Sequence, residues 1–147
     1  MAIDSNYVPQ VVAELLTMEL SPSIARWRML DDPEADSQER GQYPLVEIEF
    51  PGAHLTRQEY GDPNGNIWAE GAAGAPTAFM VHVHVARGKD SISKARQVMD
   101  AVCAIFCGRQ YEGVEFFDAL ALFVDYGEGL TAGVSRSIEY RYEFLHR

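Results

Sequence analysis

One stretch of about thirty residues limits the folds open to this chain more than any other. Ala78-Phe79-Met80-Val81-His82-Val83-His84-Val85-Ala86 alternates with a period of two. Phe79, Val81, Val83 and Val85 fall on one face and Met80, His82 and His84 on the other, the pattern of a half-buried strand. After Arg87-Gly88-Lys89, either Asp90 or Ser91 is suited to cap a helix. Ile92, Ala95, Met99, Val102, Cys103 and Phe106 then recur at helical spacing, and Gly108 supplies a stop. An apolar strand face that leads into a helix with one apolar stripe buries the two against each other.

The rest of the chain extends this unit. Residues from about Tyr7 to Leu20 predict a first helix, with Pro9 in its first turn and Val8, Val11, Val12, Leu15 and Met18 as its apolar stripe. Ser21-Pro22-Ser23 ends it, and Ile24–Leu30 is assigned a short strand. Asp31 to Gln42 is polar and turn-rich, a solvated loop. Leu45–Phe50 alternates Val46, Ile48 and Phe50 against Glu47 and Glu49, and Pro51-Gly52 closes it. From Gly52 to Pro76 runs a long excursion rich in turn formers and then in Gly and Ala. Two strands follow, one within Ala119–Tyr126 and one from Val134 to Phe144. In the latter Val134, Ile138, Tyr140, Tyr142 and Phe144 oppose Ser135, Ser137, Glu139, Arg141 and Glu143, with Arg136 the exception on the apolar side. The expected architecture is α+β: one domain over residues 1–147, in the order α-β-β-(excursion)-β-α-β-β. Its single sheet is mixed, mostly antiparallel, with two main helices on one face.

Composition removes several functional classes. With 47% hydrophobic residues in 147 positions, a packed core is within reach. Apolar runs are short, as in Leu120–Val124, too short to span a bilayer as a helix. Met1–Asn6 lacks a basic region followed by an apolar one, so the expectation is a cytoplasmic protein without a signal peptide. A net charge of −10 argues against a free-standing nucleic-acid binder, although not against a surface that DNA passes without being gripped. The two cysteines, Cys103 and Cys107, lie one helical turn apart and read as reduced thiols.

Chemistry-bearing residues are few. The strand patterns place Glu47, Glu49, His82, His84, Glu139, Arg141 and Glu143 on the sheet face away from the helices, a polar and mostly acidic surface. It is either solvated or lines a subunit contact or a pore. His82 and His84 share one strand face and are the weak candidates for a metal, with Glu47, Glu49 or His54 as a third ligand. No Gly-x-Ser-x-Gly elbow and no phosphate-cradling loop occurs. The expectation is therefore no enzyme and no cofactor. In the excursion, Arg57, Tyr60, Ile67 and Trp68 are the candidate interface residues, Trp68 foremost.

The succession of "YPLVEIEFPG", a turn-rich excursion, "AFMVHVHVARGKDSISKARQVMDAV" and a closing "SRSIEYRYEF" resembles the tail-terminator (minor tail) proteins of long-tailed, lambda-like phages and prophages. The resemblance covers nearly the whole chain and rests on apolar alternation and element order rather than on invariant chemical residues. The excursion is longer and richer in Gly and Ala than the family's pattern. The resemblance implies a sandwich of one sheet with helices. It implies a hexameric ring that caps the tail tube, stops its polymerisation and forms the joint to the head, with DNA passing through the lumen. Its expected partners are copies of itself, the tail-tube protein and a head-completion or neck protein, and its expected location is the virion tail, assembled in the host cytoplasm without a membrane. No catalytic residue carries over. The alternatives are another head–tail connector or tail-tube subunit, or, from a different class, a small ligand- or metal-binding enzyme using the acidic face with His82 and His84.

Overall fold

The computed structural model describes residues 6–30, 43–50, 77–125 and 131–142, with the backbone alone for 77, 119–125 and 142. In chain order the elements are α1 (Tyr7–Glu19), β1 (Arg26–Met29), β2 (Leu45–Glu49), β3 (Thr77–Ala86), α2 (Ser91–Phe106), β4 (Gln110–Tyr111), β5 (Val114–Asp125) and β6 (Thr131–Tyr142). The six strands form one sheet in the order β1-β2-β3-β6-β5-β4. Only β1 and β2 run parallel; every other neighbouring pair is antiparallel. The protein is thus α+β, with two helices and a mixed, mostly antiparallel sheet among the described residues.

The period-two pattern of β3 explains its central place. Phe79, Val81 and Val83 are fully buried, and β3 pairs with β2 over five residues and with β6 over ten. Helix α2 packs its buried side, Ala95, Val98, Met99, Val102, Cys103, Ile105 and Phe106, across β3, β5 and β6. Helix α1 contributes Val8, Val11, Val12, Leu15 and Leu16 to the same core. Phe79 is the hub of an aromatic cluster, with ring centroids 5.3 Å from Phe50, 5.4 Å from Phe106 and 6.1 Å from Tyr140. Edge-to-face packing of this kind adds to the area term of burial.

Several boundaries differ from the sequence reading. Met18 is 58% exposed, and Leu16 takes its place in the buried stripe of α1. Leu20 continues the buried side at the helix end, while Met18 stays outside it and Glu19 pairs with Arg109. Asp90 does occupy the capping position of α2, but with φ +62° and no side-chain hydrogen bond to the helix. The helix ends through Cys107, whose N–H bonds the Cys103 carbonyl, and Gly108 takes the left-handed φ of +76° that a side chain disfavours. Strand β5 begins at Val114, five residues earlier than expected, because the turn at Glu112-Gly113 folds the extra strand β4 against it. Strand β6 starts at Thr131 rather than Val134.

Candidate functional site

Of the polar residues assigned to the sheet's far face, the described ones, Glu47, Glu49, His82, His84, Glu139 and Arg141, share it, and register determines which of them meet. Glu47 of β2 lies opposite His82 of β3, which lies opposite Ser135 of β6. Leu45 lies opposite His84, and His84 opposite Gly133. Cross-strand neighbours on one face sit close enough for side chains to bond. Two separate groups result.

The first group is centred on Glu47. Its Oε2 receives Arg28 Nε at 2.9 Å and lies 2.7 Å from Arg28 Nη2. Its Oε1 lies 2.7 Å from His84 Nε2, although that nitrogen is poorly angled and makes no hydrogen bond. Glu47 is only 8% exposed, and Leu45 beside it 4%. The expectation of an open acidic strand face fails here: β2 is buried on both faces, and the guanidinium of Arg28 provides the counter-charge that a carboxyl group in that setting needs. Arg28 comes from β1, whose parallel pairing sets Arg28 directly opposite Glu47.

The second group is a row of three. Glu49 Oε1 lies 2.9 Å from His82 Nε2, and His82 Nδ1 lies 2.7 Å from Ser135 Oγ. If Glu49 accepts from Nε2–H, then Nδ1 accepts from the Ser135 hydroxyl, and the imidazole is held in one tautomer. Such a row has the connectivity of a nucleophile, a base and an orienting carboxylate. It differs from a working site in its surroundings, because it lies on a sheet face whose backbone N–H groups serve the strand ladders. The notch of about 290 Å³ lined by Gly108, Arg109, Gln110, Glu115 and Phe116–Asp118 lies elsewhere, on β4 and the start of β5.

His82 and His84 therefore turn to different carboxylates rather than to one point. Among the described residues, no group of three or more His, Cys, Asp or Glu is placed to hold a metal ion. Glu139 stands half-exposed on β6 opposite Ala78. Arg141 pairs with Glu115 of β5 at 3.4 Å, so this part of the face is charge-matched too. Arg57, Tyr60, Ile67, Trp68, His54 and Glu143 lie outside the described residues.

On the helix side, Arg136 is the cation on the apolar face that the alternation predicts. It lies opposite Val81, and its Nη1 lies 3.7 Å from Cys103 Sγ. Burial pushes the Cys103 thiol above its usual value, with Arg136 opposing that shift. A buried, protonated thiol is a poor nucleophile. Among the described residues, no helix is long and apolar enough to cross a membrane.

Three contributors were not foreseen: Arg28, Ser135 and Glu115. Ser135 was already on the outward side of its strand, and only the β3–β6 register sets it against His82. No protein-family model matches this chain, and no curated protein matches it either.

Proposed function

We propose that this chain is a structural subunit of a phage tail, a tail terminator that assembles as a hexameric ring, caps the tail tube, stops its polymerisation and forms the surface that joins the head. The observation that carries this reading is the element order combined with one mixed sheet covered by helices on one face, the arrangement that the resemblance implies. The far face supports it as well, since its charged side chains are spent on each other and on holding strands together rather than on a reaction. Tail-tube subunits and a head-completion or neck protein are the axial partners, and the virion tail, assembled in the host cytoplasm, is the location. DNA passes through the lumen without specific binding. With Glu47 paired to Arg28 and Glu49 hydrogen-bonded to His82, repulsion of the phosphate backbone rests on the overall charge of −10 rather than on those two carboxylates. Light scattering on the purified chain, alone and with tail-tube subunits, tests the reading. A discrete ring-sized oligomer is expected, and a strict monomer that also leaves tube growth unchanged overturns it.

The row Glu49–His82–Ser135 favours one second reading, a small hydrolytic enzyme with Ser135 as nucleophile. A fluorophosphonate probe decides between the two. Labelling of Ser135 that disappears in His82→Ala supports the enzyme; labelling no faster than that of free serine supports the structural subunit.

A further inference from the structure

The chain's positive charge is unevenly placed. Both of its lysines, and four of its twelve basic residues, fall within residues 87–96, against the single carboxylate of Asp90. Lys89, Lys94 and Arg96 are exposed, on the turn before α2 and on its first two turns. Elsewhere in the fold basic side chains are engaged by carboxylates: Arg28 by Glu47, Arg109 by Glu19 and Arg141 by Glu115. Among the described residues, no carboxylate lies within ion-pair distance of Lys89, Lys94 or Arg96. In a chain of net charge −10, unspent cations gathered in one place form a surface for an acidic partner.

The far end of α2 has the opposite character. The helix is 16 residues long, about 24 Å, and beyond Gly108 the chain enters β4 and the start of β5. Glu19 holds Arg109, Glu115 holds Arg141, and Tyr111 donates to Glu14 at 2.8 Å, which draws these carboxylates into one corner. Exposed Glu112 stands in the β4–β5 turn, where its carbonyl accepts from the Tyr7 hydroxyl at 2.6 Å. Exposed Asp118 lines the notch beside Glu115. The corner carries five carboxylates against two guanidinium groups, and among the described residues Glu112 and Asp118 have no cation of their own.

We propose that the acidic corner of one copy of this chain, through Glu112 and Asp118, docks on the basic start of α2 in a second copy, through Lys89, Lys94 and Arg96. Charge complementarity selects the occupant. A nucleic acid carries one sign of charge along its whole length and meets the net charge of −10 wherever it runs on past this short surface. A second copy instead brings carboxylates that lack counter-ions, on a corner whose other charges are already paired. Because the two surfaces lie at opposite ends of α2, each junction leaves one basic end and one acidic corner unused. Such a head-to-tail contact closes into a ring or runs on as a filament. The proposal rests on the ring reading only for the number of copies.

Charge reversal at each surface tests it. Lys89→Glu with Lys94→Glu turns residues 87–96 net acidic, and Glu112→Lys with Asp118→Lys turns the corner net basic. All four positions are exposed; circular dichroism checks folding, and light scattering across a dilution series follows assembly. Each double variant alone is expected to need about tenfold more protein for half-assembly than the parent, and an equimolar mixture of the two to return close to the parent value. Parent-like assembly of either variant alone, or a mixture no better than its components, overturns this junction and leaves the ring reading standing. If the Lys89→Glu, Lys94→Glu variant assembles like the parent and loses affinity for a labelled DNA duplex, the basic surface serves a nucleic acid and the junction is likewise overturned. A parent chain that stays monomeric or stops at a dimer at every concentration, even with tube subunits, overturns both.

Discussion

Replacing Glu47 by Gln keeps the size of a side chain that is 10% exposed but removes its charge. Arg28, whose side chain is 13% exposed, then loses the carboxylate that lies 2.7 Å from it. An exposed ion pair contributes about 0.2–1 kcal/mol, whereas breaking a buried one costs about 3–5 kcal/mol because a charge is left without compensation. Gln retains an acceptor for Arg28, which sets the expectation near the lower limit, about 3 kcal/mol. With a urea slope of about 2 kcal/mol per M, the unfolding midpoint falls by about 1.5 M. Glu49→Gln is the internal control, since its carboxylate is 42% exposed and bonds His82 at the rim; a loss below about 1 kcal/mol is expected. Urea unfolding followed by far-ultraviolet circular dichroism measures both. Equal, small losses for the two variants would refute the distinction between a buried and a rim carboxylate on this face. Arg28→Met with Glu47→Leu should recover most of what Glu47→Gln loses, because an apolar pair of similar volume needs no counter-charge.

Other outcomes follow from the same geometry. Gly133→Ala places a methyl group 2.5 Å from the Val83 carbonyl oxygen, a backbone atom of the central strand that has no easy way to move; a loss of about 1–3 kcal/mol is expected in the same urea assay. In the native protein a thiol reagent at pH 8 should modify half-exposed Cys107 well before buried Cys103, as peptide mapping will report; the reverse order would contradict the burial of Cys103. The Cys103 thiol and the Tyr111 phenol, the latter bonded to Glu14, both hold their protons more tightly folded than at their usual values of 9.0 and 10.0. Each group contributes stability that is complete below the unfolded value and declines as the unfolded chain deprotonates first. The unfolding midpoint should therefore fall as pH rises above about 9, and Tyr111→Phe should flatten the upper part of that decline.

Period and composition made the centre of the fold legible before any coordinates. The alternation assigns the buried side of β3 (Phe79, Val81, Val83, Val85) and, among the described residues, that of β6 (Val134, Ile138, Tyr140), with Arg136 as the cation on it. Helix α2 follows from its apolar spacing and from Gly108. Local pattern does not carry register between strands distant in sequence, and the polar face depends on register. Glu47 and His82 can be placed on a common face from their own strands, yet the partnership of Ser135 with His82 spans 53 positions. The burial of Glu47 was missed for a related reason. A Glu between Val and Ile reads as the outward residue of a half-buried strand, and nothing local signals that β1 brings Arg28 alongside in parallel. Strand β4 is too short to leave a periodic trace. The misjudged Met18 shows the limit of helical spacing at the margin of a stripe: it follows Leu15 by three residues, yet Leu16 and Leu20 hold the core positions there.

The central claim, that the chain works as a ring subunit rather than as an enzyme, meets its most direct test in electron microscopy of tail-tube subunits polymerised with and without it. Tubes that stop growing and carry a six-fold ring at one end are the predicted result. Tubes of unchanged length with bare ends, formed beside a protein that remains monomeric, would contradict it.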